Sequence, residues 1–140
     1  MSRALFQPII GRADEIVNFL IHTEEVMAYP SLAYAVRLSC EEIIVNIISY
    51  AYPVGTDGYI GVNVTKEQGT LCIEIQDGGI PFNPLEKEDP DISQELEERD
   101  IGGLGIFLVF QMMDEVEYKY EEGKNTLKLR KKIENGGGYE

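Results

Sequence analysis

The spacing of apolar positions changes period along the chain, and the changes mark out its elements. Leu5–Ile10 reads as a short strand, and Gly11 separates it from a helix in which Ile16, Val17, Phe19, Leu20 and Ile21 gather on one broad face. After Tyr29–Pro30, Ser31 is placed to cap a second helix that runs to about Ala51, where Pro53 enforces a stop. Gly58–Lys66 alternates, with Ile60, Val62 and Val64 on one face, and Leu71, Ile73 and Ile75 repeat the pattern beyond a Glu67–Gln68–Gly69 turn. This predicts an antiparallel hairpin whose second strand ends at Asp77. Gly102–Gly103–Leu104–Gly105 opens a third helix through about Met112. Val116, Tyr118 and Tyr120 then alternate with Glu117, Lys119 and Glu121, and after a Glu122–Gly123–Lys124 turn Leu127, Leu129 and Ile133 alternate with Lys128, Arg130 and Lys132.

The predicted order is β-α-α-β-β-loop-α-β-β, an α+β two-layer sandwich with helices on one face of a mainly antiparallel sheet. The other face, rich in Glu74, Glu117, Lys119, Lys128 and Arg130, is left to solvent. The strongly acidic stretch from Pro84 to Asp100 has few apolar residues and is expected to be a mobile loop. Residues 1–134 form a single expected domain, followed by a flexible tail over 135–140.

Composition narrows the class. With 140 residues, 44% hydrophobic and 26% charged, the chain has the length and make-up of one soluble globular domain. Its net charge of −13 opposes a phosphate backbone, so a direct nucleic-acid partner is not expected. No apolar run approaches the ~20 residues that span a bilayer, and Met1–Ile10 lacks the pattern of a secretory leader, so a cytosolic location with no membrane association is expected. Cys40 and Cys72 have no metal-ligand spacing and read as buried thiols, while the single His22 lacks companions for a catalytic or metal role.

The chemistry concentrates in three places. On the second helix Ser39, Glu42, Asn46 and Tyr50 recur at spacings of three or four and share a stripe. Asn46 interrupts Ile43–Ile44–Val45 and Ile47–Ile48, where a buried amide without a partner costs on the order of 1–3 kcal/mol. Taken alone, Glu42-x-x-x-Asn46 also fits the solvated edge of an amphipathic helix. Downstream, Asp77–Gly78–Gly79–Ile80–Pro81–Phe82 closes a strand, where a carboxylate can accept an exocyclic amine and glycine lets the backbone approach a flat base, or where a β-turn simply needs glycine. The Gly102–Gly105 run stands at a helix start, whose unbonded N–H groups suit phosphate oxygens or serve only as a helix entry. No GxxxxGK[ST] occurs, and Gly103-x-Gly105 lacks both the preceding strand and the third glycine of a dinucleotide motif.

Together these residues resemble the GHKL superfamily of ATPases and kinases. Glu42-x-x-x-Asn46 followed by Tyr50–Ala51–Tyr52 looks like its N-box, Asp77-x-Gly79-x-Pro81 like its first glycine box and Gly103–Leu104–Gly105 like its second, in the expected order. The run from Gly102 through Met113–Asp114–Glu115–Val116 to Gly123-x-Asn125-x-Leu127-x-Leu129 is similar to the anti-sigma serine/threonine-protein kinase branch. The resemblance covers roughly residues 5–133 and implies a Bergerat fold, a two-layer sandwich with a mixed, mainly antiparallel sheet and a lid, here 84–101, over ATP or ADP.

It further implies that Asn46 helps hold Mg²⁺ and the ATP phosphates, that Asp77 reads the adenine amine with help from Thr126, and that Glu42 is the base for an incoming serine hydroxyl. Gly79, Gly103, Leu104 and Gly105 join the nucleotide-binding set. Arg99, the lone lid arginine, is the candidate for the terminal phosphate. The implied role is that of an anti-sigma factor, with a homodimer suggested by the family alone, which binds a sigma factor and phosphorylates a serine of a STAS-like anti-anti-sigma protein. A binding module that sequesters a partner without phosphoryl transfer is the alternative. One departure is Tyr50, where the branch commonly carries histidine; its ring is expected to preserve packing while a hydrogen bond is lost.

Overall fold

The computed structural model describes residues 1–9, 11–52, 58–86 and 101–133, and for 101–105 the backbone alone. Its elements are β1 (Ser2–Phe6), α1 (Ala13–Ile21), α2 (Glu24–Met27), α3 (Ala33–Asn46), β2 (Ile60–Glu67), β3 (Thr70–Asp77), α4 (Ile101–Met112), β4 (Glu115–Glu121) and β5 (Lys124–Lys132). The five strands form one sheet in the order β1-β2-β3-β5-β4, and every pairing is antiparallel, so the parallel element of a mixed sheet is not found among the described strands.

Both hairpins close on two-residue turns with positive φ, Gln68–Gly69 at 48° and 75° and Glu122–Gly123 at 54° and 77°. That geometry matches the right-handed twist of the flanking strands, and glycine takes the second position without strain. Alternation then sorts the sheet. Val62, Ile75 and Leu127 stand in register on the inner face, as do Val64, Ile73 and Leu129, and all are buried against the helices. Ile16 and Leu20 of α1 and Ile43 and Ile44 of α3 complete this core, with α3 packed against both α1 and α4. On the outer face Lys128 faces Glu74, and Arg130 reaches Glu115 at 3.2 Å and Glu117 at 3.0 Å, the solvated charge row that the sequence predicts.

Four local readings change. The first strand begins at Ser2 and ends at Phe6 instead of running over Leu5–Ile10, because Ala4 and Phe6 supply the inward positions opposite Val62 and Ile60 while Leu5, 74% exposed, points outward. Ser31 lies inside a 3₁₀ turn, Pro30–Leu32, and α3 starts at Ala33 without a side-chain cap. The segment after α1 breaks at His22, and Thr23 caps the short α2 by accepting from the Val26 N–H at 3.3 Å. Cys40 is fully buried, which raises its thiol to about 12, but Cys72 sits on the outer sheet face and is only partly covered.

Among the described residues no helix is long and apolar enough to cross a membrane. The lid expectation beyond Glu86, up to Asp100, and the tail expectation lie outside the described residues.

Candidate functional site

The second half of α3 is where polar groups enter the helical layer. Asn46 is 3% exposed, as its apolar neighbours require, and its Nδ2 donates to the Glu42 carbonyl at 2.7 Å and to Glu42 Oε2 at 2.6 Å. The one-turn spacing delivers both bonds without any distortion of the helix. Two consequences follow. The amide nitrogen is occupied, so Oδ1, which takes no hydrogen bond among the described residues, is the atom that Asn46 has left for a bound group. The Glu42 carboxylate is held at the rim of the same turn, half-buried.

Directly after Asn46 the helix widens into a π turn over Ile47–Ala51, which ends where Pro53 was expected to stop it. Such turns rotate the residues beyond them out of the preceding stripe. Tyr50, the residue in the place of a histidine, is exposed and packs its ring on Phe82 with centroids 5.5 Å apart. The aromatic packing expected of it is present. Ser39, at the other end of the stripe, is buried with its Oγ lacking a partner among the described residues.

The glycine box abuts this helix end. Ile80 N–H donates to the Ala51 carbonyl at 2.8 Å, and a Cβ on Gly79 would stand 2.3 Å from that same carbonyl oxygen. Glycine is therefore demanded here by the protein's own helix terminus, whatever the loop binds. Tyr52 fastens the neighbouring residues: its hydroxyl donates to the Tyr59 carbonyl at 2.7 Å and accepts from the N–H groups of Tyr59 at 3.1 Å and Gly78 at 2.8 Å.

Asp77, at the end of β3, is 1% exposed and lies on the inner face in register with Ile60 and Asn125. Its Oδ1 accepts from Gly79 N–H at 2.9 Å and from Asn125 Nδ2 at 2.9 Å. Burial pushes its carboxyl above the ordinary range, and those two hydrogen bonds oppose the rise. A buried carboxylate with one oxygen engaged and the other without a partner among the described residues is a directional acceptor, suited to an N–H of a bound group.

The residue that meets Asp77 is thus Asn125, and Thr126 is not brought to the site. Thr126 pairs with Gln76 on the outer face, where its Oγ1 accepts from Gln76 Nε2 at 3.3 Å and it lines a small outer-face hollow with Glu117, Lys119 and Lys128. Strand parity dictates this: Asn125 belongs with Leu127 and Leu129, whereas Thr126 belongs with Lys128 and Arg130. In the sequence Asn125 stands within a motif without an evident role, and its signal is that it is a polar residue on the inward parity of an amphipathic strand.

Gly103, Leu104 and Gly105 fall in the first turns of α4, which begins at Ile101, so the expectation of a glycine-rich helix start holds for the backbone. Arg99 lies outside the described residues.

Comparison with known proteins decides what this arrangement is. The family model described as "Histidine kinase-like ATPase domain" matches residues 16–131. The chain belongs to this family. It is similar to the serine-protein kinase RsbW of Listeria monocytogenes, 29% identical over 95 residues that make up 65% of this chain and 60% of that protein. It is likewise similar to the serine/threonine-protein kinase BtrW of Bordetella bronchiseptica, 26% identical over 98 residues, 70% of this chain and 69% of that one. RsbW of Bacillus thuringiensis is 29% identical over 109 residues, covering 72% and 68%.

Among solved structures, the histidine kinase domain of the Erythrobacter litoralis EL346 blue-light activated histidine kinase superposes with a TM-score of 0.54 over 89% of this chain and 59% of that one, at 15% identity, a likeness of fold. The chain thus spans less than two-thirds of the length of the Listeria kinase and of the histidine kinase chain.

The site residues fit what an ATPase domain of this family would hold. Asp77 would offer a base a buried acceptor, and Asn46 Oδ1 would offer a cation one neutral oxygen ligand. Among the described residues no three His, Cys, Asp or Glu side chains gather to cage a metal ion. A cation held at Asn46 would therefore need phosphate oxygens and water for its remaining ligands, the habit of Mg²⁺.

Proposed function

We propose that this chain is an ATP-dependent protein serine kinase that also acts as an anti-sigma factor. In this reading ATP or ADP binds with Mg²⁺, the adenine amine donating to Asp77 Oδ2, the phosphates facing the N–H groups at the start of α4, and the cation meeting Asn46 Oδ1. Mg²⁺, when bound, neutralises charge on the transferring phosphoryl group.

The remaining chemistry belongs to the chain. The substrate serine's Oγ forms a bond to the γ-phosphorus as the bond from that phosphorus to the β,γ-bridging oxygen breaks, ADP leaves, and the serine proton passes to the Glu42 carboxylate. The partner is a STAS-like anti-anti-sigma protein, and a sigma factor is the second partner. The names of the serine kinases to which the chain is similar support the reaction class.

The observation that carries the proposal is the Glu42–Asn46 hydrogen bond of 2.6 Å, which holds a carboxylate beside an amide, the pairing that a base next to a metal-binding group would need. A domain that used nucleotide only to fix its shape has no chemical need for that base. The test is incubation with γ-labelled ATP, Mg²⁺ and a purified STAS-like domain bearing a serine at a loop-to-helix junction. Label on that serine, lost with Glu42→Gln, is the expected result. Sequestration of a sigma factor with no label on any partner would instead make the chain a binding module.

A further inference from the structure

We propose that Asn125 is the positioning residue that holds Asp77 for reading the 6-amino group of adenine, and that it thereby sets the preference for adenine over 6-oxopurine nucleotides. The inference rests on the nucleotide-binding reading above and deepens it.

Asn125 is 3% exposed and stands in strand register between Asp77 on β3 and Tyr120 on β4. A side-chain amide has two N–H donors and two acceptor positions on its oxygen. All four are occupied: Nδ2 donates to Asp77 Oδ1 at 2.9 Å and to the Ile80 carbonyl at 2.8 Å, while Oδ1 accepts from the Phe82 N–H at 3.0 Å and from the Tyr118 hydroxyl. No capacity is left for a ligand, so Asn125 acts through what it holds.

It holds both the carboxylate and the loop. With Asn125 and Gly79 N–H both on Oδ1, the carboxylate cannot turn without breaking bonds in a buried site, and Oδ2 is left as a fixed acceptor for the ligand. Donation to Oδ1 also favours the ionised form, against the burial that raises this carboxyl. An ionised, immobile acceptor takes an N–H from adenine and repels the carbonyl oxygen that inosine or guanine presents at the same position. Without Asn125 the carboxyl is free to turn and more readily protonated, and a protonated carboxyl donates to a 6-oxo group.

The experiment titrates the parent protein, Asn125→Ala and Tyr118→Phe with Mg-ATP and with Mg-inosine triphosphate, which differs from ATP in carrying an oxo group at the purine 6-position and a proton on the adjacent N1. Asn125→Ala is expected to weaken ATP roughly tenfold, the scale of one hydrogen bond to a charged group, while inosine triphosphate changes by less than about twofold. Tyr118→Phe, which removes only the hydroxyl that braces Asn125, should lower the same ratio by a smaller factor. Equal weakening of both nucleotides would show a merely structural residue and overturn the proposal, as would an unchanged ratio. If circular dichroism shows Asn125→Ala unfolded, the Tyr118→Phe ratio decides in the same sense. A parent that binds neither nucleotide overturns the nucleotide reading and this inference together, whereas a parent that binds ATP with variants that keep its preference overturns this inference alone.

Discussion

Glu42 and Asn46 share one short hydrogen bond, yet substitution should separate their tasks. Glu42→Gln keeps the size of the side chain, so Mg-ATP should bind as before while phosphoryl transfer to a partner serine falls by roughly 10²-fold or more, the range of a positioned base. Asn46→Ala removes the oxygen proposed to meet the metal and should weaken Mg-ATP binding itself; titration calorimetry beside a single-turnover assay distinguishes the two outcomes. Asp77 carries a conflict between stability and function. Its folded pKa is raised above the ordinary 3.8, so its contribution to stability is present below that value and is lost as pH rises through the folded pKa. At neutral pH the buried charge is a net cost. Asp77→Asn keeps an oxygen for Gly79 and Asn125, and should melt no lower than the parent at neutral pH while losing affinity for ATP. Melting curves across pH check the sign: the parent should lose stability relative to Asp77→Asn between acid and neutral pH, and a parent that gains would contradict it. The residues of this site were unequally legible. Asn46 announced itself as an amide inside an apolar run, and Asp77 as an acid ahead of glycines. Thr126, which the family resemblance sets beside Asp77, stands on the outward parity of its strand, as the alternation of Leu127, Lys128, Leu129 and Arg130 already shows.

Elements meet at one junction, where the π turn of Ile47–Ala51 touches the loop after β3. Nothing in the composition of Ile47–Ala51 separates a π turn from an α-helix, since both present the same apolar run, and the widening is set by what the helix end must contact. The same holds for Gly79. Sequence alone offers a flat base or a turn as the reason for glycine here, and the fold adds the Ala51 carbonyl oxygen, 2.3 Å from where a Cβ would sit. Backbone cannot yield as a flexible side chain can, so Gly79→Ala should cost about 1–3 kcal/mol, the usual scale of overpacking, and should displace the loop that frames Asp77. Tyr52→Phe provides a comparison at the same junction. It leaves the ring in place but strips three hydrogen bonds from its hydroxyl, and an unsatisfied buried partner costs about 1–3 kcal/mol. Denaturant unfolding should show both losses, and an undiminished midpoint in Gly79→Ala would mean that the loop does not pack on the helix end. The regular elements were easier to foresee. Alternation of Ile60, Val62 and Val64 with polar residues allows only one face inward, and the Gln68–Gly69 turn leaves one register for β2 against β3.

At the scale of the molecule, helices cover one sheet face and leave a charged row on the other, so the polar residues of the site are those that depart from this division: Asn46, Asp77 and Asn125 are buried in the apolar layer. Fold class followed from the order of periods along the chain, because each amphipathic element has only one partner layer in which to bury its apolar face. The site needed the structure, because its parts come from α3, the β3 loop and β5, whose distances in sequence say nothing of contact. Asn125 is fully bonded, but Asn46 Oδ1 and Asp77 Oδ2 have no partner among the described residues, a cost to the nucleotide-free protein that a ligand can offset. A ligand that binds only the folded state stabilises it by RT ln(1 + [L]/Kd), which is about 2.7 kcal/mol at a hundredfold excess over Kd. For a domain of this size that corresponds to a rise in Tm of roughly 5–10 °C. Mg-ATP should produce this shift in the parent, chelation of Mg²⁺ with EDTA should remove most of it, and Asn46→Ala should make the protein indifferent to the chelator. Asp77→Asn should lose the shift in the presence of Mg²⁺ as well, because its defect lies at the base and not at the phosphates. Shifts of equal size in all three proteins would place the nucleotide elsewhere on the molecule and detach Asn46 and Asp77 from it.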